Sequence, residues 1–256
     1  MIELVEVTKR YPNTDRPVVD AVSLTVGRGE LVALLGESGS GKTTLLRMVN
    51  RLVDPEAGTV RVDGHDVRTR DPVALRRTIG YVIQAAGLFP HFSVADNIAV
   101  VPRLLAWSEP DVTARVDTLL ELVGLPAAEY RARYPDELSG GQRQRIGVAR
   151  ALAARPSVLL LDEPFGALDP ITRTALQAEL RAIHAELKLT TVIVTHDLVE
   201  ALTLADRVAV LYRGQLRQVA TPAELLAAPA DEYVARLVAS VRHHAEQLAA
   251  LARPAP

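Results

Sequence analysis

Apolar residues follow two rhythms along this chain. Unbroken runs at Leu31–Leu35, at 79–83, at 158–161, at 191–195 and at 208–212 read as strands buried on both faces. Leu176, Leu180, Ile183 and Leu187 recur instead at helical spacing and predict one apolar stripe. Strands alternating with helices predict an α/β fold built on a mostly parallel sheet. Ahead of that sheet, residues 2–10 and 18–27 read as two strands joined by a turn-rich segment at 11–17, and 58–64 as a short strand ending in a turn. From about residue 92 to 150 the pattern becomes helical, with segments at 95–107 and 111–124, the second closing on the glycine cap Gly124. This predicts a helical insertion in the middle of the sheet. Residues 222–252 read as mainly helical, with Tyr233, Leu237, Val241 and Leu248 along one side, and 253–256 as a disordered end.

Composition narrows the function. The chain has 256 residues, enough for one large α/β domain or two small ones, and its 48% hydrophobic and 23% charged content is ordinary for a globular protein. A net charge of −2, without a basic block, argues against a nucleic-acid partner. The absence of cysteine excludes disulfides, thiolate zinc sites and thiol catalysis, and fits a reducing compartment. Acids stand at the N-terminus where a signal peptide carries bases, and no apolar run approaches the roughly 18–20 residues that span a bilayer. A membrane role must therefore come through a partner. His65, His91, His184, His243 and His244 lack metal-ligand spacing and read as surface residues.

Chemistry enters at Gly36-Glu37-Ser38-Gly39-Ser40-Gly41-Lys42-Thr43, a complete G-x-x-x-x-G-K-[ST] loop between the first buried run and a helix beginning at Thr44. Glycines let successive N–H groups converge on phosphate oxygens, and the helix start adds partial positive charge. Lys42 is expected at the β- and γ-phosphates, and the Thr43 hydroxyl on Mg²⁺. The run at 158–161 ends in Asp162-Glu163, on the rim where α/β sheets bind ligands. There Asp162 is expected to hold Mg²⁺ and Glu163 to polarise an attacking water. Leu138-Ser139-Gly140-Gly141-Gln142 opens a second anion-binding helix start, with Ser139 as N-cap. The first loop already satisfies one triphosphate, so the second is expected to serve a nucleotide held by another copy.

These residues, with Gln84 after a strand, Ala167-Leu168-Asp169, and His196 after another strand, resemble the ATP-binding subunit of ATP-binding-cassette (ABC) transporters. The resemblance covers residues 1 to about 240. It implies a P-loop ATPase with an N-terminal antiparallel β subdomain and an inserted helical subdomain at about 92–150, followed by a helical tail at 241–256 without a regulatory domain. It also implies two copies closing head to tail on two ATP molecules, with Ser139, Gly140, Gly141, Gln142 and Asp169 acting across the junction. Glu163 matches the catalytic carboxylate and His196 a γ-phosphate contact. Gln84 matches the contact to Mg²⁺ and water, Thr44 belongs with the phosphate loop, and Tyr11 matches an adenine-stacking aromatic.

Residues 79–84, Gly87-Leu88-Phe89-Pro90-His91 and 165–173 are most similar to the subfamily powering uptake of glycine betaine, choline, carnitine and related quaternary amines. Ala85-Ala86 depart from its usual glutamine and larger apolar residue. The implied partners are a second copy, permease subunits and, indirectly, a solute-binding protein. The implied place is the cytoplasmic face of a prokaryotic membrane, held peripherally by the permease, with Leu88, Phe89 and Phe92 as candidate contacts. Importers of methionine, other amino acids or polyamines stand as the alternative. A non-transport ABC ATPase fits less well, since the chain lacks a long coiled coil or a second cassette.

Overall fold

The computed structural model describes residues 1–251, apart from Asn13, Ala85 and Ala167 and the side chains of His244, Ala245, Leu248, Ala249 and Ala250. Expectations placed on Ala85, Ala167, the His244 and Leu248 side chains and residues 253–256 lie outside the described residues. The chain enters through β1 (Ile2–Lys9), β2 (Val19–Val26), β3 (Leu31–Leu35) and α1 (Lys42–Val49). Next come β4 (Ala57–Val62), β5 (His65–Asp66), α2 (Pro72–Arg77) and β6 (Ile79–Val82). A helical stretch follows: α3 (Val94–Leu104), α4 (Glu109–Leu122), α5 (Ala127–Tyr130) and α6 (Gly140–Leu152). The chain then returns to the sheet through β7 (Val158–Asp162), α7 (Pro170–Leu187), β8 (Thr190–Thr195), α8 (Leu198–Leu204), β9 (Arg207–Tyr212) and β10 (Gln215–Ala220), and finishes in α9 (Pro222–Ala227) and α10 (Glu232–Leu251).

The larger sheet has the order β10-β9-β3-β8-β7-β6, parallel throughout except for β10. The smaller one, β2-β1-β4-β5, is antiparallel. Strand periodicity explains how the parallel sheet serves two cores. Leu31, Ala33 and Leu35 of β3, with Leu159, Leu161, Ile193, Val208 and Val210, pack with the helical insertion and α7. Val32 and Leu34, with Val158, Leu160, Val192 and Val194, pack with α1 and the small sheet. Both faces of these strands are dry, so their sequences run apolar without alternation.

Two expectations need correction. The α7 stripe does not end on Leu187, which is 38% exposed; His184 takes the buried place one turn after Leu180. A polar ring is tolerated there because its Nδ1 lies 2.9 Å from the Thr191 hydroxyl of β8, so the buried group has a partner. His184 is therefore not a surface residue, and burial pulls its imidazole pKa down. At the other end of the chain Tyr233 of α10 stacks on Tyr212 of β9, with ring centroids 4.0 Å apart and planes 24° off parallel.

Candidate functional site

Strand register assembles the site. Leu35 pairs with Thr195 and Asp162 with Val194, so β3, β7 and β8 release Gly36, Glu163 and His196 along one rim. The loop from Gly36 leads into α1, whose N-cap Gly41 sits at φ 102° without a side-chain cap. A Cβ at Gly41 would collide with the Val18 carbonyl oxygen, so the position demands glycine twice over. Lys42 folds back under this loop. Its Nζ donates to the carbonyls of Gly36 at 2.7 Å and Glu37 at 2.8 Å, and the side chain is buried. Burial lowers the Lys42 pKa, while the carboxylates of Glu163, Asp162 and Glu37 draw it back up. Glu37, Ser38, Gly39 and Ser40 line a cavity of about 460 Å³ together with Val18 and Tyr212. Thr44 follows Thr43 in the first turn of α1.

Thr43 and Asp162 meet directly: the Thr43 hydroxyl donates to Asp162 Oδ1 at 2.8 Å. Tyr81 of β6 donates its hydroxyl to Asp162 Oδ2 at 3.4 Å, and burial raises that phenol's pKa. Hydroxyl and carboxylate oxygens are hard donors suited to Mg²⁺, which binds through a few protein oxygens plus substrate phosphates. Among the described residues no cluster of three or more His, Asp or Glu forms a closed cage. The residues present fit such an open site.

The next residue, Glu163, adopts φ 46°, a left-handed conformation that costs a non-glycine residue free energy. Its N–H donates to Val194 O at 3.1 Å, which pins the turn to β8. Its Oε2 lies 3.5 Å from His196 Nδ1. Gln84, Glu163 and His196 line one cleft of about 460 Å³, and Gly140 and Arg143 of α6 border it. The three residues expected around the reaction thus share a space.

The start of α6 is a capping box. Ser139 Oγ accepts from Gln142 N–H at 3.2 Å, while Gln142 Oε1 accepts from Ser139 N–H at 2.8 Å. Gly141 packs so closely on α7 that a Cβ would stand 2.6 Å from Thr172 Cγ2. Asp169 caps α7 by accepting from the N–H groups of Ile171 and Thr172, and the Thr172 hydroxyl together with these N–H groups holds its carboxyl below the ordinary range. Tyr11 is half-buried in the β1–β2 connection under the Lys9 ammonium, 5.7 Å from its ring centroid, and is not among the lining of the phosphate-loop cavity. Phe89 is 41% exposed, whereas Leu88 packs against the larger core and the Phe92 ring lies 5.2 Å from that of Phe89. Sequence reasoning missed Tyr81, although its place opposite Leu160 was available from pairing the two strands.

The profile of the ABC transporter family matches residues 19–166. The choline transport ATP-binding protein OpuBA of Bacillus subtilis is 50% identical over 242 residues, covering 94% of this chain and 63% of that protein. The glycine betaine uptake system ATP-binding protein YehX of Escherichia coli is 49% identical over 234 residues, 91% of this chain and 75% of its own length. A bacterial ABC transporter cassette solved as a dimer superposes with a TM-score of 0.78 at 32% identity, covering 87% of this chain and 99% of that one. The chain spans less than two thirds of the length of OpuBA. No helix among the described residues is long and apolar enough to cross a membrane. With the glycine-rich loop, the paired acids and the capped start of α6 in one α/β frame, the chain belongs to the ABC transporter family of ATP-binding proteins.

Proposed function

We propose that this chain hydrolyses ATP to drive an importer of quaternary amines such as glycine betaine, choline or carnitine. The observation that carries the reading is the juxtaposition on one rim of Lys42, the Thr43–Asp162 hydrogen bond and the Glu163–His196 pair. The substrate class draws on what OpuBA and YehX are named for.

A triphosphate entering the loop gives the Lys42 ammonium stronger acceptors than the Gly36 and Glu37 carbonyls it now uses. The N–H groups from Glu37 to Thr44 and the start of α1 add to the field on the phosphates. Thr43, Asp162 and Gln84 would hold Mg²⁺, which when bound offsets charge on the β- and γ-phosphates. Glu163 orients water and takes its proton as the new oxygen–phosphorus bond forms and the bond to the β-phosphate oxygen breaks. His196, which lines the same cleft beside Glu163, contacts the γ-phosphate.

Completion of the site falls to a second copy. Its Ser139, Gly140, Gly141 and Gln142 present a helix start to the γ-phosphate, and its Asp169 lies at the junction. The superposition on a dimeric cassette supports this arrangement. ATP binds the closed pair more tightly than the open one, and hydrolysis removes that preference. Towards the membrane, a groove of about 420 Å³ lined by Tyr81, Ile83, Phe89, Val101 and Arg150 suits a short amphipathic permease segment. Such docking places the chain on the cytoplasmic face, where the solute-binding protein reaches it only through the permease.

The test is hydrolysis by the purified chain, followed by uptake of labelled glycine betaine and choline in cells carrying it with its permease. Hydrolysis that persists undiminished in Glu163→Gln excludes the catalytic reading. Uptake confined to methionine or polyamines excludes the quaternary-amine one.

A further inference from the structure

Glu200 has no part in the chemistry above, yet it lies beneath it. The residue belongs to the first turn of α8, four positions after His196, and is 6% exposed. Buried carboxyls are normally paired. Here Oε2 accepts a long 3.5 Å hydrogen bond from Gln177 Nε2 of α7, the Thr195 hydroxyl also acts on the carboxyl, and Oε1 has no hydrogen-bond partner among the described residues. Arg173 Nε, also on α7, is likewise without one. Both residues line a cavity of about 40 Å³ whose remaining walls include Glu163, Thr195, His196 and Asp197.

We propose that Glu200 is a positioning residue for hydrolysis, fixing from below where the Thr195–His196–Asp197 turn and the Glu163 carboxylate stand relative to each other. The proposal rests on the reading of Glu163 and His196 as the hydrolytic pair. These two groups sit on separate loops, and they line one small space together with Glu200, a buried side chain of α8. Reacting groups must be held to within about 0.5 Å, and a shift of about 1 Å costs on the order of a hundredfold in rate.

The surroundings also make this support sensitive to protons. Burial pushes the Glu200 carboxyl up to about 7, Asp197 adding to the rise while the Thr195 hydroxyl, Arg173 and Gln177 oppose it. The charged and titratable groups facing it are Glu163, Asp197, Arg173 and His196. Below neutrality the group is a hydrogen-bond donor. Above it, an anion stands beside the Glu163 and Asp197 carboxylates and draws on Arg173, which already lies 3.8 Å from Asp197.

The test compares the parent with Glu200→Gln, an uncharged side chain of the same shape. In the nucleotide-free parent, the amide NMR signals of Thr195 and of position 200 between about pH 5.5 and 8.5 carry an inflection that Glu200→Gln removes; this needs no turnover. In turnover, the ratio of Glu200→Gln kcat to parent kcat rises about threefold over the same range, with the KM for ATP unchanged. Glu200→Ala lowers kcat about tenfold, again without a change in KM; should it fail to fold, the Gln variant alone decides. Unaltered amide titrations, or a flat rate ratio, overturn the role of Glu200. Loss of hydrolysis in Glu163→Gln, measured alongside, reports separately on the underlying reading.

Discussion

Thr43 and Asp162 lie 119 positions apart, yet the Thr43 hydroxyl donates to Asp162 Oδ1 at 2.8 Å. The contact couples the end of the phosphate loop to the end of β7, so both oxygens are aimed before any substrate arrives. Asp162→Asn keeps the shape and removes the charge. Mg²⁺ dependence of ATP hydrolysis should shift to about 10–100-fold higher concentration, with thermal stability little altered. A titration curve coincident with that of the parent excludes Asp162 from the metal site.

Glu163→Gln should retain ATP affinity within about threefold while hydrolysis falls by about 10²–10⁴-fold. Because the bound triphosphate then persists, light scattering with ATP should report a dimer mass where the parent reverts to monomer. Turnover near the parental rate is the adverse result.

Gly41→Ala should cost about 1–3 kcal/mol in stability and also abolish ATP binding. Its φ of 102° and the Val18 carbonyl beneath it leave no room for a methyl group. Urea denaturation and fluorescent-nucleotide binding measure the two effects, and full retention of either contradicts the geometry.

Ser139→Ala removes a cap that α6 uses, at a cost of about 1 kcal/mol. Hydrolysis should fall further than that loss explains, while ATP binding to the variant's own phosphate loop stays intact. Mixing experiments sharpen this: an Ser139→Ala protomer paired with a Lys42→Ala protomer should rescue one competent site in one orientation only.

Glu200 gives stability a pH dependence of definite sign. Its folded pKa of about 7 stands above the ordinary 4.5. Between those values the native chain holds a proton that the unfolded chain has lost, so its contribution is complete below about pH 4.5 and disappears as pH rises through about 7. Glu200→Gln, which cannot ionise, should therefore unfold at higher urea than the parent at about pH 8, by up to about 3 kcal/mol, and match it near pH 4.5. A gap that widens on acidification contradicts the burial argument.

Much of the frame was legible in the sequence because the buried strands are apolar on both faces and their loops carry dense signals. Gly36 to Thr43 could be located to the residue, and so could the acids closing β7. β10 was not foreseen. Gln215-Leu216-Arg217-Gln218 alternates as an edge strand should, but its polar positions outnumber its apolar ones. A signal was present at Arg213-Gly214, where φ values of 50° and 84° make the tight turn that folds β10 onto β9. His184 was misjudged for a different reason. Its hydrogen bond to Thr191 comes from a strand that only tertiary packing brings near, and spacing along α7 carries no trace of it. Glu200 escaped notice likewise, since its burial depends on α7 closing over α8.

The stacked rings of Tyr212 and Tyr233 have a mechanical corollary. Tyr212 walls the cavity beside Glu37 to Ser40, and Tyr233 anchors the helix that ends the described chain. Tension applied along α10 would pass through the stacked rings to the end of β9, and so to one wall of that cavity.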